Sequence, residues 1–227
     1  MLPTIQLYTF PASQNAVRPE IALREKQLPF EKIAVDLRKG EHRQAPLADV
    51  TPRQQVPTLV YQLDGPPIVV YESIATIRFI DDMHPTPPLM PPIDEPERRA
   101  RALMRIEEFQ AKLDPKNVFG SVAFGGMTRA DLASRIEALI AELTRWDDYL
   151  TGRQFLADDQ FTLADIAVFP LLLHFEALGF AYAERTPTLA SYIERCKARA
   201  SVRESGWVEA FYNFVSQLAP ADVLADS

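Results

Sequence analysis

Six prolines fall between His84 and Glu97, in the stretch HPTPPLMPPIDEPE. Proline locks φ and removes an amide donor, so neither a helix nor a central strand crosses such a stretch. It reads as a stiff, extended linker. Composition changes across it, which predicts a domain boundary there. The expected organisation is a first domain over 1–83, a linker over 84–94 and a second domain over 95–227. The chain has 227 residues, 47% of them hydrophobic. That length fits one to two domains and is enough to bury a core without a disulfide or a metal.

Before the linker, strand-like and helical runs alternate. Thr4–Thr9 is apolar and rich in β-formers, and Asn15–Lys26 has a helical composition. Phe30–Leu37 alternates as a strand. Two further strand-like runs, Thr58–Leu63 and Pro67–Tyr71, flank Asp64-Gly65, a hairpin signal. Ile74, Ile77 and Ile80 then recur at helical spacing within Glu72–Met83. The order βαβ–ββα predicts a small mixed sheet with one parallel crossover and one hairpin. After the linker the runs are helical. Leu132, Ile136, Leu139, Ile140, Leu143, Trp146 and Leu150 form one stripe. Glu97–Leu113 and Thr188–Arg199 also read as helices. The run Ile166–Leu178 is apolar almost all round and is expected to be the buried central helix.

Charge and cysteine usage exclude several functions. With 31 acidic and 24 basic residues the net charge is −7, so bulk attraction to nucleic acid or an anionic membrane is not expected. No apolar run approaches the ~20 residues of a spanning helix. No basic segment precedes an apolar one near the N-terminus, so a secretory signal is not expected. The single cysteine, Cys196, excludes an internal disulfide and any cysteine-based metal cluster. The expectation is a cytoplasmic protein with no metal.

Three local features carry chemistry. The first is Phe10-Pro11-Ala12-Ser13-Gln14-Asn15-Ala16-Val17-Arg18-Pro19. Pro19 is expected to keep the helix from starting before about Asn15, because only the first residues of a helix need no intrahelical donor. Ser13, Gln14 and Asn15 then lie in the loop beside free backbone N–H groups and the positive end of the helix dipole. That environment suits an anion. Serine and asparagine are also ordinary N-caps. The second feature is Val56-Pro57, a proline opening a strand. A trans peptide there is unremarkable, whereas a cis peptide exposes the Val56 amide and carbonyl to a ligand with a peptide backbone. The third is Glu72-Ser73, a carboxylate and a hydroxyl opening a helix. The pair suits the ammonium and carboxylate of an α-amino acid, though an acidic residue at a helix start also serves the dipole alone.

In order and spacing these features resemble the cytosolic glutathione transferases, over almost the whole chain. Leu28-Pro29-Phe30-Glu31, Val35-Asp36-Leu37 and Lys39-Gly40-Glu41-His42 look most like the theta-like classes. Asn15 and Pro19 look like the bacterial β-etherase-like relatives. Phe155–Asp159 followed by Phe161-Thr162-Leu163-Ala164-Asp165-Ile166 resembles the family's capping box and hydrophobic staple. Its physics is visible directly: Thr162 and Asp165 are spaced to cap each other, with Phe161 packing on Ile166. Asp158 stands where the family usually has glycine, and a left-handed conformation is expected there.

The resemblance implies a glutathione transferase fold: an α/β thioredoxin-like domain followed by an all-α domain. It implies glutathione as co-substrate, a hydrophobic electrophile as second substrate, and a homodimer. Ser13 or Asn15 would meet the thiol. Val56, Pro57, Glu72 and Ser73 would hold the γ-glutamyl and cysteinyl backbone, and His42 and Gln55 the glycyl carboxylate. Phe10, Phe109, Phe119, Phe124 and Trp207 are candidates to line an electrophile pocket, with the Gly120–Gly126 stretch as a wall.

Lowering a thiol pKa by ~2 units takes ~2.7 kcal/mol of selective thiolate stabilisation. The helix dipole supplies ~0.3–1 kcal/mol and one hydrogen bond to a charged acceptor ~1.5–3 kcal/mol. One hydroxyl or amide donor therefore suffices, with no general base. The expected activity is attack of glutathione thiolate on an apolar electrophile. Ether cleavage or dehalogenation by the same thiolate is the near alternative, and a non-catalytic glutathione-binding protein the distant one. A thiol–disulfide reductase needs a cysteine at the first turn, where Ser13-Gln14-Asn15-Ala16 stands instead.

Overall fold

A computed structural model describes residues 2–225. They divide into two compact units. One holds the residues up to Leu89 together with Ala200–Phe211. The other holds Met90–Arg199 and the residues from Tyr212 onward.

The first unit opens with β1 (Thr4–Thr9), α1 (Gln14–Glu25) and β2 (Glu31–Ala34). A long connection carries a short helix α2 (Leu47–Val50). β3 (Thr58–Gln62), β4 (Ile68–Tyr71) and α3 (Ser73–Met83) follow. The sheet order is β2-β1-β3-β4. β1 pairs parallel with β2, and β3 pairs antiparallel with both β1 and β4. This is the mixed βαβ–ββα sheet expected from the alternation of runs, and the fold is thioredoxin-like. Helices α1 and α3 pack together. The connection after β2 is tied down by a cluster in which Tyr8, Val35 and Leu47 pack with Ile33, Leu37, Val50, Val56 and Val60.

The second unit is helical: α4 (Pro96–Glu108), α5 (Phe119–Ala123), α6 (Ala133–Tyr149), α7 (Leu163–Glu176), α8 (Tyr182–Arg185) and α9 (Pro187–Lys197). Then come α10 (Ala200–Ser205) and α11 (Trp207–Leu218). Every residue of α7 except Glu176 is buried, as its all-round apolarity predicts. The expected helix Glu97–Leu113 is instead α4 followed by a π-helical segment, Phe109–Leu113. α10 packs on α1, with Ser201 Oγ 2.5 Å from a Glu25 carboxylate oxygen.

Three expectations need correction. α1 starts at Gln14 and contains Pro19 as its sixth residue. The proline removes one intrahelical hydrogen bond rather than setting the start, so Asn15 lies in the first turn, not in the loop. The first half of the proline stretch is not a free spacer. Asp81 pairs with buried Lys26 and also accepts from Leu89 N at 2.9 Å, and Lys26 donates to the Pro87 carbonyl. Finally, Asp158 takes φ +159°, close to extended, not a left-handed helical conformation. Its carbonyl accepts from Phe155 N at 2.7 Å, and its carboxylate lies 3.6 Å from Arg101 Nη1.

Candidate active site at one end of the sheet

Strand register brings the candidate residues together. Tyr8 pairs with Thr58, and Thr58 with Tyr71. The exit of β1, the entry of β3 and the exit of β4 therefore share one end of the sheet. The loop to α1, the Val56-Pro57 peptide and the Glu72-Ser73 step all lie at that end. β2 runs parallel to β1 and ends level with it, at Thr9↔Ala34. The connection carrying His42 and Gln55 thus leaves from the same end and returns to it.

At the start of α1, Ser13 is the N-cap, and its Oγ accepts from Ala16 N at 3.2 Å. A hydroxyl has one donor and two lone pairs, so the Ser13 O–H stays available to donate. Asn15 is exposed, and its Oδ1 accepts from Arg18 Nη1. A guanidinium only donates, so the amide oxygen faces it and the amide N–H groups turn away. The first turn of α1 carries no acidic residue. Two donors therefore stand at a dipole-positive helix end.

Arg18 was not singled out from the sequence. It is 1% exposed. The same Nη1 that meets Asn15 lies 3.1 Å from Ser73 Oγ at the start of α3. Its sequence signal was a charge on the stripe shared with Ile21 and Ala22, one turn after Asn15.

Glu72 precedes α3 with φ +68° and ψ 113°, a conformation that costs a side chain about 1–3 kcal/mol. α3 has no side-chain N-cap and no acidic residue in its first turn. Its leading N–H groups and the buried Ser73 hydroxyl can receive a carboxylate, with the exposed Glu72 side chain beside them for an ammonium. The Val56-Pro57 peptide is cis. Pro57 is buried and Val56 half-buried, and Thr58 Oγ1 fixes the Gln55 carbonyl at 2.8 Å. His42 is half-buried in a 3-10 turn, Glu41–Arg43, and its Nδ1 is buried with no hydrogen-bond partner. The Gln55 side chain is exposed.

The aromatic candidates are divided between the two units. Phe10 follows β1 and is half-buried. Trp207, in the first unit, is buried and stacked on Phe211 at 5.4 Å. In the second unit Phe109 is buried in the π-helical segment, and Phe119 is buried and stacked on His174 at 4.3 Å. Phe124 is 68% exposed, and it edges a cavity of about 580 Å³ in the second unit with Val122, Met127, Arg129 and Val223. Burial pushes the Cys196 thiol pKa well up, aided by the Asp165 charge, so the thiol stays protonated. Among the described residues no cluster of three or more His, Cys, Asp or Glu side chains suits a metal. No helix among them is long and apolar enough to cross a membrane.

Family models match both halves: "Glutathione S-transferase, N-terminal domain" over residues 12–83 and "Glutathione S-transferase, C-terminal domain" over 126–200. The chain belongs to the glutathione S-transferase family. It is similar to glutathione S-transferase 3 of Zea mays, with 30% identity over 71% of this chain and 73% of the relative. It is similar to maleylacetoacetate isomerase maiA of Aspergillus fumigatus, with 27% identity over 90% of this chain and 91% of the relative. Among solved structures it resembles the β-etherase LigF from Sphingobium sp. strain SYK-6. The TM-score is 0.76 and the identity 24%, over 89% of this chain and 98% of that one.

Proposed function

We propose that this family member binds glutathione at the sheet end described above and holds its thiol as a thiolate for attack on a hydrophobic electrophile. The observation that carries the reading is the pairing of two donors, the Ser13 hydroxyl and the Asn15 amide, at the start of α1. One such donor supplies ~1.5–3 kcal/mol to an anion, and the helix end adds ~0.3–1 kcal/mol. Together these cover a thiol pKa lowered by ~2 units. The γ-glutamyl group would sit on Glu72 and Ser73, the cysteinyl backbone on Val56 and Pro57, and the glycyl carboxylate by His42 and Gln55. Phe10, Phe109, Phe119, Phe124 and Trp207 remain the aromatic candidates for the electrophile side. No nucleic acid, membrane or metal enters the scheme. A cytoplasmic homodimer is the working assembly, and light scattering tests its state.

The likeness to a β-etherase and to an isomerase supports a second reading, in which the same thiolate serves ether cleavage or isomerisation. Assays with aryl halides, aryl ethers, isothiocyanates, peroxides and a maleyl-type diketo acid, each with glutathione, separate the two. Turnover of aryl halides supports conjugation, and turnover of only aryl ethers or the diketo acid supports the second reading. Glutathione binding without turnover of any of them favours a non-catalytic binding protein.

A further inference from the structure

Arg18 occupies a place that the roles above do not use. It is buried on α1, yet its Nη1 reaches acceptors on two different helices: Asn15 Oδ1 on its own first turn and Ser73 Oγ at the head of α3. Both acceptors also carry donors. Because the guanidinium can only donate, each acceptor must present its oxygen to it. The Asn15 N–H groups and the Ser73 hydroxyl hydrogen are thereby turned away from Arg18. Those are the groups needed at two separate anions, a thiolate and an α-carboxylate.

We propose that Arg18 is a positioning residue that orients the Asn15 amide and the Ser73 hydroxyl together, coupling the thiol end of the site to its γ-glutamyl end. The inference rests on the glutathione reading above. Lysine keeps the charge but not the fixed, planar fork, so it cannot hold both acceptors in the same geometry. A purely structural arginine would affect stability and leave the thiol pKa alone.

The test uses the full chain and four variants: Arg18→Lys, Arg18→Met, Asn15→Ala and the double variant Arg18→Lys/Asn15→Ala. Thermal unfolding establishes the fold of each. Ultraviolet difference titration gives the pKa of bound glutathione, and calorimetry gives the affinity for S-methylglutathione, which has no ionisable thiol. The expected result for Arg18→Lys is a bound-thiol pKa higher by about one unit and S-methylglutathione binding weakened about tenfold. In the Asn15→Ala background the same change should add little to the pKa, because Arg18 acts through Asn15. Arg18→Met should exceed Arg18→Lys in both readouts. An unchanged thiol pKa in a folded Arg18→Lys protein, or additive shifts in the double variant, overturns the proposal. If neither Arg18 variant folds, Ser73→Ala replaces them: it must raise the thiol pKa at the far end of the bridge, and an unchanged value overturns the proposal. Failure of the glutathione reading looks different, since the unaltered protein then binds neither ligand.

Discussion

Arg18 Nη1 and Ser73 Oγ lie 3.1 Å apart although 55 residues separate them in the chain. The contact joins the heads of α1 and α3 at the sheet end where β1 and β4 terminate. It ties together two helix N-termini that each look like ordinary caps. The chemistry assigned to these helix starts leads to distinct outcomes at each.

At the thiol end, Ser13 has two separable duties. Its Oγ caps α1 through Ala16 N, and its O–H is free to donate. Ser13→Ala should lose both, costing about 1 kcal/mol of stability as a lost cap and raising the bound-thiol pKa by about 1–2 units. Asn15→Ala leaves the cap but takes an acceptor from buried Arg18, so it should raise the thiol pKa with a stability loss of different origin. Chemical denaturation beside ultraviolet titration of bound glutathione separates the two. If neither variant raises the thiol pKa, the donor assignment at α1 is wrong.

The γ-glutamyl end stores backbone strain at Glu72, with φ +68°. Glycine adopts that region without steric penalty but loses more entropy on folding, roughly 0.5–1 kcal/mol. Against a strain of about 1–3 kcal/mol, Glu72→Gly should stabilise the fold by about 1 kcal/mol. It should also weaken glutathione several-fold by removing the carboxylate proposed to meet the ammonium. Denaturation midpoints and calorimetry should therefore move in opposite directions. Weaker binding with lower stability would place Glu72 in a purely structural role.

Much of this fold was legible because its periodicities are local. The βαβ–ββα alternation and the stripe from Leu132 to Leu150 follow from period-2 and period-3.6 patterns that tertiary context does not override. What escaped is what depends on partners distant in sequence. Arg18 reads as a surface charge until α3 brings Ser73 to it. The start of α1 is not legible from Pro19, because the packed helix tolerates that proline in its second turn. The π-helical segment after α4 has no period signature of its own. Ser13, Asn15, Glu72 and Ser73 stand at helix starts, as their chemistry in the sequence suggests. For the aromatic candidates, helical spacing alone does not tell a pocket wall from a core: Phe109 and Phe119 are buried, whereas Phe124 is exposed.

In the proposed glutathione complex the glycyl carboxylate lies by His42. Its Nδ1 is buried and has no hydrogen-bond partner among the described residues, which fits a role toward a carboxylate. His42→Ala should weaken glutathione about three- to tenfold, within the range of one lost hydrogen bond, and leave γ-glutamylcysteine unaffected, because that dipeptide lacks the glycyl carboxylate. Gln55→Ala should show the same selectivity with a smaller effect. Equal losses for both ligands would remove His42 from the carboxylate site.

In the second unit, a buried acid should set a pH dependence of stability. Asp165 is fully buried, and its pKa is pushed up to about 6 by desolvation, against the opposing hydrogen bonds from Leu156 N, Thr162 N and Thr162 Oγ1. A carboxyl whose pKa rises on folding binds more protons folded than unfolded between 3.8 and about 6. Its contribution to stability is therefore greatest below that window, falls as pH rises through it, and is level above about pH 7. The full change is on the order of 3 kcal/mol, at ~1.4 kcal/mol per pKa unit. Asp165→Asn cannot titrate. Subtracting its stability from that of the unaltered protein, by denaturation at intervals from pH 4 to 8, should leave a curve that descends through pH 4–6. The subtraction cancels the titration of the other groups, and the cost of perturbing the capping box remains only as a constant offset that does not change the slope. A curve that instead rises with pH would mean that the three donors hold the carboxylate ionised more strongly than burial opposes it.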